Sequence, residues 1–248
     1  MQHDENLNTV YNQNFNVFFQ WKNIFIFDMD WVIIDIEEIN FKSYQLAIME
    51  ILNYDLSYKD YKDFFQWKKF SEWIKYFLNS IAVNDIEWFK EKLWDKIFIH
   101  KKFFLEKSDL QKYMSKTIVE FLSAIRKENY LIWLATSTIR DFTYTILNRI
   151  WITKFFDIIV TAEDVWQGKP SWEIYIKAFS LLGWKDHNKW VVFEDSIPWI
   201  QSAFNAWLYC VNINWTDEYY SLFWHNKNYI FWGNDFSFFI PFIKRWNM

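Results

Sequence analysis

Glycine is nearly missing from this sequence, at 3 residues of 248, where an average composition would give about 17. Cysteine is scarce as well. The single Cys210 excludes an intrachain disulfide framework and fits a reducing compartment. Its setting, LYCVNI, reads as a buried strand, so a structural thiol is expected there and not a nucleophile. No run reaches the roughly 18 uninterrupted apolar residues that a membrane span needs. The start, MQHDENLNTVYNQNFN, is polar and Asn-rich, unlike a signal peptide. A cytoplasmic protein with no membrane association is therefore expected. An excess of positive charge is lacking too: the formal net charge is −4, which gives no support to a nucleic-acid-binding surface. What remains is an ordinary globular composition, long enough for one large domain or for a core domain carrying a sizeable insertion.

Tryptophan is in excess, at 18 residues, and several of these sit where a backbone ordinarily uses glycine. Trp31 follows an Asp-x-Asp turn. Trp151, in LNRIWITKFF, falls at a helix C′ position that favours Gly. Trp133 interrupts an apolar strand, and Trp199 and Trp207 lie in a helix-to-strand segment. The pattern points to glycines written as tryptophan. Some bacteria read the UGA codon as Trp and others as Gly, and the wrong table would produce it. The basic set of 23 Lys and 4 Arg, with abundant Asn, Ile, Phe and Tyr, fits an AT-rich coding sequence. A chain truly rich in tryptophan is the alternative.

Periodicity divides the chain. KNIFIF (22–27) reads as a buried parallel strand. From 36 to 112 the pattern turns helical, with no convincing strand, and is expected to form an inserted helical cap domain. Residues 21–35 and 113–248 then form one α/β core domain, preceded by a polar extension over 1–20. In the core, helices near 116–128, 139–150, 172–182 and 197–206 alternate with strands at 130–135, 156–160, 190–194 and 208–213, and 228–231 reads as a sixth strand. Such alternation implies a parallel sheet with helices on both faces, a Rossmann-like core whose ligands bind beyond the carboxyl ends of the strands. Asp28, Thr136, Thr161 and Glu194–Asp195 end those strands and should converge on one crevice, with the helical insertion placed to cover it.

Four short segments carry chemistry. Asp28 and Asp30, in FDMDWV, are carboxylates at i and i+2, able to act as nucleophile and as proton donor and acceptor. A D-x-D alone is also a common solvated turn. Ala135-Thr136-Ser137-Thr138 offers hydroxyls and backbone N–H groups to an anion, or merely caps a helix. In Gly168-Lys169-Pro170-Ser171, Pro170 would pre-set a first helical turn with Lys169 just ahead as a fixed cation. Glu194 and Asp195, in FEDS, would repel the Asp28 pair unless a cation sits among them, and oxygen-only ligation suits Mg²⁺.

Together and in this order, FDMDWVIID, LATST, GKPS and VVFEDSIPWIQSAFNAWL resemble the four motifs of the haloacid dehalogenase superfamily. The likeness is to its beta-phosphoglucomutase-like phosphatase branch, from about residue 22 to 240, with glycine expected at 31, 199 and 207. The resemblance implies the HAD fold, an α/β Rossmann-like core with an inserted α-helical cap, and a Mg²⁺-dependent phosphatase of a small phosphorylated metabolite. It implies that Asp28 becomes an aspartyl-phosphate and that Asp30 protonates the leaving oxygen and then activates water. Thr136 and the Ser137 amide would hold a phosphoryl oxygen, and Lys169 would neutralise charge. Mg²⁺ would be bound by Asp195 and Asp28 with the Asp30 carbonyl, Glu194 beside it.

Asp30 itself favours phosphate-ester chemistry, since members that break carbon–halogen or carbon–phosphorus bonds lack this acid. A hexose-phosphate mutase of the same branch is the runner-up. It would carry a His in the first cap helix and an Arg after a cap Gly, where this chain has Asn40 and Phe70. Lys68 and Lys69 read as solvated charges more readily than as contacts to a substrate's distal group. Phe64, Phe65 and Tyr76 read as bundle core more readily than as a substrate cage. If Trp31 is genuine, its indole beside the nucleophile leaves room for a catalytically silent binding protein. Oligomeric state is not readable.

Overall fold

The computed structural model describes residues 19, 22–66, 70–182, 187–213, 229–231 and 236–244. The chain divides into two compact units, one of residues 1–35 and 111–248 and the other Ile36–Leu110. No helix among the described residues is long and apolar enough to cross a membrane.

The first unit is built on six parallel strands, β1 (Ile24–Phe27), β2 (Leu131–Ala135), β3 (Ile158–Val160), β4 (Trp190–Glu194), β5 (Tyr209–Asn212) and β6 (Tyr229–Phe231), in the order β3-β2-β1-β4-β5-β6. β1 is buried throughout, as a central parallel strand covered on both faces must be. Its alternate side chains point to opposite faces. Ile24 and Ile26 join a cluster with Trp133, Tyr175, Ala178, Trp190, Ile200 and Ala203. Phe25 and Phe27 enter an aromatic layer with Phe121, Phe193, Phe236 and Phe239, the Phe27 and Phe193 rings stacking at 4.7 Å. The two faces of the IFIF strand thus enter two different parts of the core. Cys210 is buried in β5, and burial pushes its thiol up, as a structural cysteine requires.

Register sets the level of the functional residues. Phe27 pairs with Leu134 on one side and Phe193 on the other. Asp28, Ala135 and Glu194, each one residue further on, therefore end level with one another. The strand order reverses between β1 and β4, the position where open α/β sheets place their crevice.

The second unit is helical: α1 (Glu37–Leu52), α2 (Tyr58–Phe64), α3 (Phe70–Ser80) and α4 (Ile86–Lys107). Ser57 and Asp85 cap α2 and α4 by accepting from the backbone N–H of Asp60 and Trp88. The bundle core holds Ala47, Ile48, Leu56, Tyr61, Phe65, Ile74, Phe77, Leu78, Leu93 and Ile97, with Phe64 packed against it. Tyr76 differs from expectation. It is 62% exposed, on the outward face of α3, with its ring beside Trp73. Phe70 packs against Tyr44 and Trp94, while Lys68 and Lys69 lie outside the described residues, as does most of the expected extension over 1–20.

Among the described residues, the first unit's α-helices of several residues are α5 (Ile118–Lys127), α6 (Arg140–Arg149), α7 (Glu173–Leu182), α8 (Ile197–Asn205) and α9 (Ile240–Lys244). α7 begins three residues past Pro170, so that proline lies in the preceding turn and not in the first helical turn. The helix ends bear on the tryptophan excess. Six non-glycine residues among those described have positive φ: Trp31, Asn53, Ala82, Asn129, Trp151 and Trp207. Trp151 closes α6 in a Schellman motif, with Ile152 N–H donating to the Leu147 carbonyl and Trp151 N–H to that of Asn148. Trp207 closes α8 in the same way, through Leu208 to Ala203 and Trp207 to Phe204. Asn129 fills the corresponding position after α5, and asparagine tolerates it at less cost than tryptophan. Trp133 and Trp199 are different, since neither has positive φ. Trp133 is fully buried, edge-on to Trp190 at 4.6 Å, though both indole N–H groups there find no acceptor.

The indoles of Trp151 and Trp207 are 78% and 76% exposed, so removing them forfeits little burial while relieving left-handed strain. Trp151→Gly and Trp207→Gly should each raise stability by about 1 kcal/mol. Trp133→Gly should lower it by roughly 3–5 kcal/mol through loss of core packing. Denaturant unfolding of the three variants checks both signs.

Candidate active site

Asp28 stands immediately beyond β1, its backbone N–H tied to the Phe193 carbonyl of β4. Its side chain is buried, and Lys169 Nζ donates to its Oδ1 at 2.8 Å. The same ammonium donates to Glu194 Oε1 at 2.6 Å, and that oxygen also accepts from the Tyr175 hydroxyl at 2.5 Å. Lys169 is therefore no solvated surface charge. It comes from the turn before α7 and lies buried between two carboxylates at the ends of adjacent strands.

Asp195 completes the group. Asp28, Glu194 and Asp195 each bring one carboxylate oxygen to within 4.8 Å of the others. Three buried carboxylates share one buried ammonium, an imbalance that low-dielectric surroundings make costly. Burial pushes the Asp28 carboxyl up to about 8 against the opposing pull of Lys169. Burial also raises Asp195, reinforced by the charges of Asp28 and Glu194, and raises Glu194 against Lys169. For Lys169, burial would lower the ammonium, but Asp28 and Glu194 carry it above the ordinary lysine range.

The donor chemistry fits a hard divalent cation. Asp195 Oδ1 and Glu194 Oε2 are buried without a hydrogen-bond partner, as are Asp30 Oδ1 and the Ser196 hydroxyl. Buried carboxylate oxygens with no donor are costly in isolation and become ligands when an oxygen-seeking cation such as Mg²⁺ is present.

Asp30, two residues beyond Asp28, accepts from the Thr138 hydroxyl at 2.5 Å on Oδ2. Thr138 also donates its backbone N–H to Thr136 Oγ1 at 3.1 Å. Thr136 is buried at the end of β2, while Ser137 is exposed in the turn that follows. Thr161 has a different use from the expected one: its N–H and hydroxyl both bond Asp164 at 2.9 Å, in a capping turn after β3. Two residues of this cluster were not singled out from sequence. Thr138 belongs to the LATST segment, and its spacing of two from Thr136 was the available signal. Tyr175 lies in an apolar helix and carries no signal that separates it from core.

A carboxyl raised by burial favours the protonated folded state, so the folded chain binds more protons than the unfolded one above the unfolded carboxylate value near 4. In chelator, stability should therefore be greatest below about pH 4 with respect to this cluster. It should fall as pH rises toward the Asp28 value of about 8. Denaturant unfolding across that range checks the slope.

The comparisons with known proteins bear on family and fold. The model of the haloacid dehalogenase-like hydrolases matches residues 25–213. The chain is 30% identical over 183 residues to the phosphorylated carbohydrates phosphatase of Thermotoga maritima, covering 73% of this chain and 80% of that protein. It is 30% identical over 100 residues to the validoxylamine A 7′-phosphate phosphatase of Streptomyces hygroscopicus subsp. limoneus. That match takes in 40% of this chain and spans about half the relative's length, 46%. In fold it resembles a predicted phosphoglycolate phosphatase of Haemophilus somnus, with a TM-score of 0.75 at 14% identity over 89% of this chain and 97% of that one. With the motifs ending level at the carboxyl edge of a parallel sheet, the chain belongs to the haloacid dehalogenase-like hydrolase family.

Proposed function

We propose that this protein is a Mg²⁺-dependent phosphatase that hydrolyses a small phosphate monoester through an aspartyl-phosphate. The observation that carries the reading is Lys169 bound to both Asp28 and Glu194 inside a set of buried carboxylates. Such a cluster is unfavourable for stability and useful for phosphoryl transfer, where charge on the nucleophile and on the phosphoryl group must be offset.

An Asp28 carboxylate oxygen attacks phosphorus, and the bond from phosphorus to the ester oxygen breaks. Asp30 gives its proton to that leaving oxygen, releasing an alcohol. Asp30, now a carboxylate, takes a proton from water as the water oxygen attacks the aspartyl-phosphate. Inorganic phosphate leaves and Asp28 is restored. Thr136 and the Ser137 N–H hold a phosphoryl oxygen, and Lys169 neutralises charge on Asp28 and the phosphoryl group. Mg²⁺ held by Asp28, Glu194 and Asp195, with the Asp30 carbonyl, would supply the positive charge that lets an anionic nucleophile approach an anionic ester.

For the substrate, we take guidance from the relatives named for phosphorylated carbohydrates and validoxylamine A 7′-phosphate. A sugar phosphate, or a phosphoglycolate-like ester, is the class to test first. Phosphate release should be measured over such a panel with Mg²⁺, on the chain as written and on Trp31→Gly. Asp28→Asn should lower kcat by at least about a thousandfold and abolish a trappable phosphoenzyme. Asp30→Asn should lower kcat/KM by about 10²–10⁴-fold, most for esters with poor leaving groups. Conversion of a hexose 1-phosphate, with catalytic bisphosphate, without phosphate release would overturn hydrolysis in favour of a mutase. Absence of turnover in both forms would favour a binding role.

A further inference from the structure

Glu194 is the last residue of β4 and is fully buried. Its two carboxylate oxygens have unlike surroundings. Oε1 accepts from both Tyr175 and Lys169, at 2.5 and 2.6 Å, whereas Oε2 is buried and has no hydrogen-bond donor. Two donors on one oxygen fix the rotation of the carboxylate and leave the other oxygen to whatever cation the cluster holds. Lys169 already serves Asp28, so Tyr175 is the only one of the two donors to Oε1 that does not also bond Asp28. The Tyr175 ring sits in the core on α7, with Ile174, Ala178 and Trp190 in the same cluster, and its position is thereby fixed by packing.

We propose that Tyr175 is a positioning residue that orients Glu194 for the divalent cation and so sets the affinity of the site for it. The proposal rests on the reading of Asp28, Glu194 and Asp195 as a Mg²⁺ site. Hydrogen-bond partners of ligating carboxylates typically change metal affinity by about 10–100-fold when removed. Tyr175→Phe keeps the ring and deletes only the hydroxyl.

The test is calorimetric titration with Mg²⁺ alone, together with the Mg²⁺-dependent rise in melting temperature, for the unsubstituted protein, Tyr175→Phe, Glu194→Gln and the double variant. Tyr175→Phe should weaken Mg²⁺ binding about tenfold while its melting temperature in chelator changes little. In the Glu194→Gln background the same change should have almost no further effect, because the two act as one unit. Equal affinities for the unsubstituted protein and Tyr175→Phe would overturn the proposal. So would a Tyr175→Phe effect of the same size with and without Glu194. If the unsubstituted protein and Asp195→Asn alike bind no Mg²⁺, the cation site itself is wrong, and the proposal falls with it.

A different observation carries a second inference. Trp31, Trp151 and Trp207 have φ of 63°, 62° and 60°, the left-handed conformation that glycine adopts without cost. Two of them occupy the C′ position of complete Schellman motifs, where glycine is the usual residue. We infer that the natural protein carries glycine at 31, 151 and 207. Peptide mass mapping of the protein isolated from its own cells decides the matter: glycine masses at all three are expected, and a tryptophan mass at any of them overturns the inference.

Discussion

The first unit turns on one buried ammonium. Lys169 reaches from the turn before α7 to bond Asp28 beyond β1 and Glu194 at the end of β4, joining neighbouring strands at their carboxyl ends. An ion in this position is expensive to desolvate, and it is retained only because carboxylates surround it. Those carboxylates outnumber it, with Asp195 in the same cluster. The residual negative charge gives the site its chemical character, a donor set that fits a hard cation.

The sheet makes the arrangement possible. Asp28 and Glu194 come level because β1 and β4 pair in parallel with Phe27 opposite Phe193, and the stacking of those two rings fixes the register from the core side. A one-residue slip would turn Phe25 and Phe27 out of the aromatic layer and carry Asp28 away from Lys169. Packing and chemistry are thus specified by the same alternation in IFIF.

Much of the architecture was legible beforehand, for definite reasons. β1 and β4 are short apolar runs ended by acids, and a parallel strand buried on both faces leaves that trace. The helical stretch after Asp35 was legible from its period. Tyr76 was not: an aromatic at helical spacing in a bundle has no mark that says which face it occupies, and here it faces outward. Trp133 carries no backbone mark either way: its φ is not positive, and its ring lies edge-on to Trp190, from a strand more than fifty residues later, with the indole N–H unpaired. Thr138 and Tyr175 were not singled out because hydroxyls on a turn and on an apolar helix are ordinary until their acceptors are known.

By itself the sequence determined the family resemblance, the strand-end acids, and the anomaly of tryptophan where helices end. Each is local, a matter of residue order within a few positions or of period along one element. Only the tertiary structure decided that Lys169 is buried between Asp28 and Glu194, that Tyr175 and not solvent serves the same carboxylate oxygen, and that Trp151 and Trp207 but not Trp133 hold left-handed backbone. Those facts depend on distances between residues from 19 to 141 positions apart and on dihedral angles that no residue type dictates. Sheet register and helix closure alone create them.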